Sequence, residues 1–229
     1  AEGARVAIVS RDRANLDRAA AQMPQVTTIV ADLTRADEAA RMAREAVQAL
    51  GPIDVLVNSA GAAKRHAPDE LDAQAWHAAM DAKYFTYIHA MDAVLPSMRE
   101  RRRGAVVNII GTGGKVATPI HLPGGAANAA LMLASVGLAS ACGKYGVRVN
   151  AINPGATITE RIREALELEA RAKGVSAEKV LADGQARVPL GRNADPDDIA
   201  QVALFLASDR AAYVTGAIVP MDGGLNPII

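Results

Sequence analysis

The chain has 229 residues, half of them hydrophobic, which suits a single undivided domain with a large buried core. Lys+Arg and Asp+Glu are both 25, so the formal net charge is zero, and aromatic content is 3%. That balance speaks against a nucleic-acid or membrane-surface protein, which needs a basic excess, and against a base-stacking groove.

Strand-like runs alternate with helical patterns along the whole chain. The predicted strands are 5–9, 26–30, 53–57, 105–110, 147–152 and 217–220. The fourth, Ala-Val-Val-Asn-Ile-Ile, is apolar on both faces, as a strand covered by helices on both sides should be. Between the second and third strands, Ala36, Ala39, Ala40, Ala43, Ala46, Val47 and Leu50 recur at three- and four-residue spacings and predict a helix with one apolar stripe. Thr34 and Asp37 resemble a capping box at its start, and Gly51-Pro52 is its stop signal. The stretch 159–189 is charged and helical and interrupts the rhythm; it reads either as a flap over a site or as two surface helices. No apolar run is expected to approach the ~20 residues of a membrane span. The lone Cys142 rules out an internal disulfide or a cysteine metal site and fits a reducing cytoplasm. The histidines show no metal-ligand spacing, so no metal is expected.

This alternation predicts an α/β, doubly wound, Rossmann-type parallel sheet with right-handed crossovers. In such a sheet the ligand lies outside the carboxyl ends of the strands. The residues to examine are therefore Ser10-Arg11-Asp12, Asp32-Leu33-Thr34, Asn58-Ser59-Ala60-Gly61 and Asn153-Pro154-Gly155 with Thr157 and Thr159.

Several of these, in this order, resemble the motifs of the short-chain dehydrogenase/reductase family. Asn58–Gly61 is similar to its N-N-A-G, and Arg148–Gly155 to its R-V-N-x-(x)-x-P-G. Tyr213–Gly216 and Asp222–Gly224 are similar to its Y-(V/I)-T-G…D-G-G ending. The resemblance spans essentially the whole chain. It implies a strand and a T-G-x-x-x-G-x-G turn upstream of Ala1, in about thirty further residues, because Ala1–Arg5 resembles the end of the helix that follows that turn. It also implies a nicotinamide dinucleotide. Ser10 stands where an acid would select NAD(H), and Arg11 follows it, so the resemblance implies NADP(H) in preference. Arg11 pairing only with Asp12 or a helix end is the plainer alternative. Asp32 and Leu33 would flank the adenine. Asn58, Ala60 and Gly61 would line the nicotinamide ribose side. Pro154, Gly155, Thr157 and Thr159 would hold the carboxamide and nearby phosphate.

The family's chemistry uses a tyrosine as acid–base group, a lysine four residues later, a serine and an asparagine. Aligned without gaps, the serine position holds Gly111, the tyrosine Gly124, the lysine Asn128 and the asparagine Lys83. Glycine has no proton to give. Lys83, Thr112 and His121 are candidate substitutes, and Asn128 can still bond a ribose. Against these stand a solvated Lys83 (paired, for instance, with Asp81), a turn-bonded Thr112 and a loop histidine. Tyr84 and Tyr87 read as packing or interface residues, and Arg99–Arg103 as a helix-end charge cluster.

Three functions remain open from sequence. The first is an NADP(H)-dependent oxidoreductase acting on a carbonyl or enone with a non-standard acid–base group. The second is an inactive NADP(H)-binding sensor or partner protein. The third is a cofactor-independent, non-redox enzyme. The resemblance further implies a homo-oligomer, a dimer or tetramer, built on helices 69–100 and 124–145. The small residues Ala126, Ala127, Ala129, Ala130, Ala134, Gly137 and Ala141 would permit close approach there, and core packing against the sheet explains some of them equally well.

Overall fold

The computed structural model describes residues 3–23, 25–61 and 64–227. In chain order these form β1 (Ala7–Ser10), α1 (Arg13–Gln22), β2 (Thr27–Val30), α2 (Ala36–Leu50), β3 (Val55–Asn58), α3 (Ala73–Ala79), α4 (Thr86–Glu100), β4 (Gly104–Ile109), α5 (Leu122–Gly143), β5 (Val147–Pro154), α6 (Glu160–Lys173), α7 (Ala177–Ala186), α8 (Pro196–Ala207) and β6 (Ile218–Met221). A π-helical turn, Met80–Phe85, joins α3 to α4. Each predicted strand is present, with its ends shifted by a residue or two.

Every strand pairing is parallel. β1 pairs with β2, and β3, β4, β5 and β6 pair in that order; among the described residues the ladder is interrupted between β1 and β3. Val55 and Val57 of β3 are accordingly 40% and 48% exposed, although their type suits a buried strand. Helix α2 spans the interruption. Its Met42 and Ala46 share one apolar cluster with Ala7 and Val9 of β1, Ile29 of β2 and Leu56 of β3.

Successive residues of a strand face opposite sides, and β4 shows why its sequence is apolar throughout. Val106 packs with α4 and α5, through Met91, Leu95 and Leu131. Val107 packs on the other face with Ile199 and Leu206 of α8. Both valines are fully buried, each stabilising the fold by about 1.5–3 kcal/mol. Helices thus cover both faces, as a doubly wound α/β architecture requires.

Polar motif residues stitch these layers. Asn58 Nδ2 donates to Asn108 Oδ1 at 2.9 Å, in register across β3 and β4. Asn108 Nδ2 donates to Ser135 Oγ of α5 at 2.9 Å. Arg148 donates to the carbonyls of Leu206 and Ser208 at the end of α8. Asn150 donates to Val214 O and accepts from Ala217 N, fixing the turn into β6. The R-V-N motif is therefore fold-building, not chemical.

Three local expectations change, and one left open is decided. Thr34 does not cap α2: its hydroxyl and N–H both bond Asp32 Oδ1, and the N-cap is Arg35. Arg101 does not serve the end of its own helix. It forms a 2.9 Å ion pair with Asp54 just before β3. The stretch Pro119–Gly143, with mean hydropathy 1.5, is long and apolar enough to cross a membrane by length and composition, contrary to the sequence reading; 39% of that window is buried here. Ala127, offered either for an oligomer contact or for core packing, takes the second role and is fully buried.

Candidate active site

The carboxyl ends of the strands gather most of the candidate residues at one edge of the sheet. Ser10 closes β1, and its Oγ accepts from Asp12 N at 3.1 Å. Asp12 in turn caps α1 through Ala14 N, and Arg13 pairs with Asp17. The plainer alternative for Arg11, a pair with Asp12, is thus not what is seen: the exposed Arg11 guanidinium forms no ion pair among the described residues. It acts instead at a distance on Asp32. The Thr34 hydroxyl, and then the charges of Arg11 and Arg35, hold the Asp32 carboxyl below the usual carboxylate range. Arg35 was not anticipated as a neighbour of this site. Leu33 packs into the cluster under α2, and its carbonyl meets His89 Nδ1 at 3.0 Å.

After β3, the Asn58 side chain is buried and turned inward to Asn108, so only its backbone faces the edge. Ala60 is exposed and Gly61 half-buried. Pro154 ends β5. Gly155 accepts no side chain, because a Cβ there would lie 2.9 Å from the Asp222 Cβ. That glycine lets the C-terminal D-G-G loop close on β5. Thr157 lies in a bridge with Ala194, and Thr159 begins α6 without capping it through its side chain.

The positions that the resemblance ties to chemistry lie around the end of β4. Gly111 follows β4 with φ 128°, where a non-glycine residue would be strained. A Cβ on Gly111 would lie 3.3 Å from Asn128 Nδ2. Thr112 opens a short 3₁₀ turn, Thr112–Gly114, packed against the start of α5. Space there is tight: a Cβ on Gly125 would lie 2.7 Å from Gly113 O. The His121 ring lies over Gly124, filling the volume that any side chain from that position would need. Asn128 is buried and faces Gly111 and Gly113.

Lys83 reaches the same edge from the π-helical turn. Its Nζ donates to Tyr87 Oη at 2.9 Å and to Ile109 O at 3.1 Å. Tyr87 is fully buried and donates its own hydroxyl hydrogen to Ile109 O at 2.6 Å. Tyr87 is thus a packing residue, as read from sequence, but one whose hydroxyl holds a candidate site residue. The signal for it in the sequence is the spacing Lys83-x-x-x-Tyr87, the family's tyrosine–lysine spacing in reverse order.

A cavity of about 880 Å³ lies elsewhere, between α6, α7 and the C-terminal loop. Ile162, Leu166, Val180 and Val188 line it together with Arg187 and Asp222. It meets the edge described above at Ala156, at Ala194, which bridges Thr157, and at Asp222, which packs on Gly155; none of the candidate catalytic residues lines it. Among the described residues no cluster of His, Cys, Asp and Glu could hold a metal ion.

A family model described as Enoyl-(Acyl carrier protein) reductase matches residues 1–226. Two proteins of Xanthobacter autotrophicus are similar over 99% of the chain. One, 2-(S)-hydroxypropyl-CoM dehydrogenase 3, is 33% identical, with 89% of its length covered. The other, inactive 2-(S)-hydroxypropyl-CoM dehydrogenase 2, is 36% identical, with 96% covered. A solved short-chain dehydrogenase/reductase of Burkholderia xenovorans superposes with a TM-score of 0.91 at 31% identity, over 100% of this chain and 87% of that one.

Proposed function

The chain belongs to the short-chain dehydrogenase/reductase family, and we propose that it is an NADP(H)-dependent oxidoreductase whose acid–base group is not the family's tyrosine. Its substrate is a small molecule carrying a carbonyl or an enone. The observation that carries the cofactor choice is the pair Ser10-Arg11 at the end of β1, with the exposed Arg11 in no ion pair among the described residues. A fork of donors next to a hydroxyl suits a phosphate dianion, the group that distinguishes NADP(H) from NAD(H). Asp32, held ionised, and Leu33 are the adenine-side contacts; Gly61, Pro154, Gly155, Thr157 and Thr159 are the nicotinamide-side ones.

The bound dinucleotide supplies or accepts the hydride. The protein must then deliver a proton to the carbonyl oxygen, or take one from the alcohol. His121 is the group best placed to do so, because its ring occupies the volume above Gly124 where the family's acid would begin. Thr112, on the turn after β4, is the hydroxyl that would donate a hydrogen bond to the same oxygen. General acid–base catalysis contributes about 10²–10⁴-fold. His121→Gln is therefore expected to lower kcat by ~10²-fold or more, with little change in cofactor affinity.

Calorimetric titration of the full-length protein with NADPH and NADH tests the cofactor reading. NADPH is expected to bind more tightly, and Arg11→Ala to weaken NADPH by ~10-fold or more while sparing NADH, the scale of one charge-assisted hydrogen bond. Equal affinity for both nucleotides, unchanged in Arg11→Ala, would remove the phosphate reading.

A second reading is favoured by Gly111 and Gly124, which leave the family's two hydroxyl positions without oxygen atoms. On that reading the protein binds NADP(H) without turnover, as a sensor or partner subunit. Tight NADPH binding, with no oxidation of NADPH across a panel of ketones and enones, would select it.

A further inference from the structure

Lys83 is held with unusual completeness for a half-buried lysine. Its ammonium has two oxygen acceptors, Tyr87 Oη and Ile109 O, and lies 4.6 Å from the centroid of the Tyr87 ring. An aromatic face and two acceptors together orient a cation that would otherwise sample many rotamers. Tyr87 contributes nothing to solvent or to any surface, since it is fully buried. Its hydroxyl closes a triangle of Lys83, Tyr87 and Ile109.

The lysine stem also needs a glycine beneath it. A Cβ on Gly61 would lie 2.7 Å from Lys83 Cδ and 3.2 Å from its Nζ. The ammonium therefore sits between the loop after β3 and the last residue of β4, outside the carboxyl ends of two adjacent parallel strands. It is delivered there by the π-helical turn Met80–Phe85, a local irregularity that is frequent at functional sites.

We propose that Lys83 is the cationic contact for the nicotinamide-side ribose of the dinucleotide, reaching it from the π-helical turn, and that Tyr87 is the residue that positions it. In this arrangement the ammonium does not come from α5, where position 128 is an asparagine. The geometry is that of Lys83 lying across Gly61; the identity of the ligand rests on the dinucleotide reading above.

The test compares two probes on the full-length protein by calorimetry. NADPH carries the nicotinamide-side ribose, whereas adenosine 2′,5′-bisphosphate carries only the adenosine half. Lys83→Met is expected to weaken NADPH by ~10- to 100-fold, the scale of a lost hydrogen bond to a charged group, and to leave the bisphosphate unchanged. Lys83→Arg is expected to recover part of the loss. Tyr87→Phe removes one acceptor and keeps the ring, so NADPH binding should weaken several-fold. Tyr87→Phe combined with Lys83→Met should weaken NADPH no more than Lys83→Met alone, because Tyr87 acts through the lysine. If Lys83→Met does not fold by circular dichroism, Lys83→Gln takes its place. Equal weakening of both probes, or of neither, would overturn the assignment and leave Lys83 as a brace between β3 and β4. Failure of the parent protein to bind any of NADPH, NADH or the bisphosphate overturns the dinucleotide reading itself and this assignment with it.

Discussion

Gly124 and His121 share one volume, and that fact gives the residue-scale chemistry its clearest handle. A Cβ on Gly124 would overlap His121 Cε1, closer than any real contact. Gly124→Ala should therefore overpack the site and destabilise the fold by about 1–3 kcal/mol. His121→Ala in the same chain should remove most of that cost. A double-mutant cycle measured by urea unfolding checks this: strong coupling is expected, and additive effects would mean that the ring moves aside freely. The sequence showed Gly124 as a missing tyrosine and His121 as either a substitute acid or a loop histidine. It could not show that the second fills the space of the first, because a linear sequence carries no volumes. The Asn58 motif carried a second signal that its letters did not announce. Its amide bonds across the strand pair, since a buried donor must find an acceptor and Asn108 offers one.

At the scale of elements, the strands were legible because burial on both faces leaves an unmistakable apolar run, and β4 is the clearest instance. Helix starts were less legible. Thr34 looked like a cap for α2, but Asp32 two residues upstream captures its hydroxyl first. The capping box that does form is Asp195 with Asp198, at α8. The π-helical turn left no signal, having neither proline nor glycine to mark it. Two consequences follow for stability. Asn108 links β3, β4 and α5 through Asn58 and Ser135; Ser135 keeps its bond to Leu131 O, so Asn108→Ala should cost about 1–3 kcal/mol, chiefly for the buried Asn58 amide it orphans. Chemical denaturation reads that cost, and a loss below ~1 kcal/mol would show that the partners re-pair elsewhere. At α8, the Arg192 guanidinium, and next the backbone N–H of Asp195, hold the Asp198 carboxyl down to about 2. A depressed carboxylate stabilises the folded state fully above its unfolded pKa near ~3.9, and that contribution is lost as pH falls toward 2. Melting curves between pH 5 and 2 should thus fall more gently in Arg192→Met than in the parent protein.

On the scale of the whole molecule, α5 has one side too many for the core it serves. Its inner face carries Ala127, Leu131, Met132, Ala139 and Cys142 against β4 and β5. Its outer face repeats Ala126, Ala129, Leu133 and Val136 at helical spacing, with Ser140 one turn further on; all are exposed, Leu133 at 77%. A helix apolar on nearly every side is normally covered on every side. The small residues in this outer stripe leave room for a second helix backbone to approach, and a two-fold axis would set the same stripe against itself. We propose that a second copy of the chain covers it, giving a dimer or a tetramer. Leu133→Glu would place two like charges in such a contact, where neither could be solvated, so it should shift the protein toward monomer in light scattering. The same substitution points into solvent in the isolated chain and should leave the monomer's melting temperature nearly unchanged. The two readouts together separate a contact between copies from a flaw in the core. An unaltered mass would instead mean that α5 is covered by something else, and flotation with lipid vesicles would then ask whether this stretch, apolar enough to span a bilayer, meets lipid.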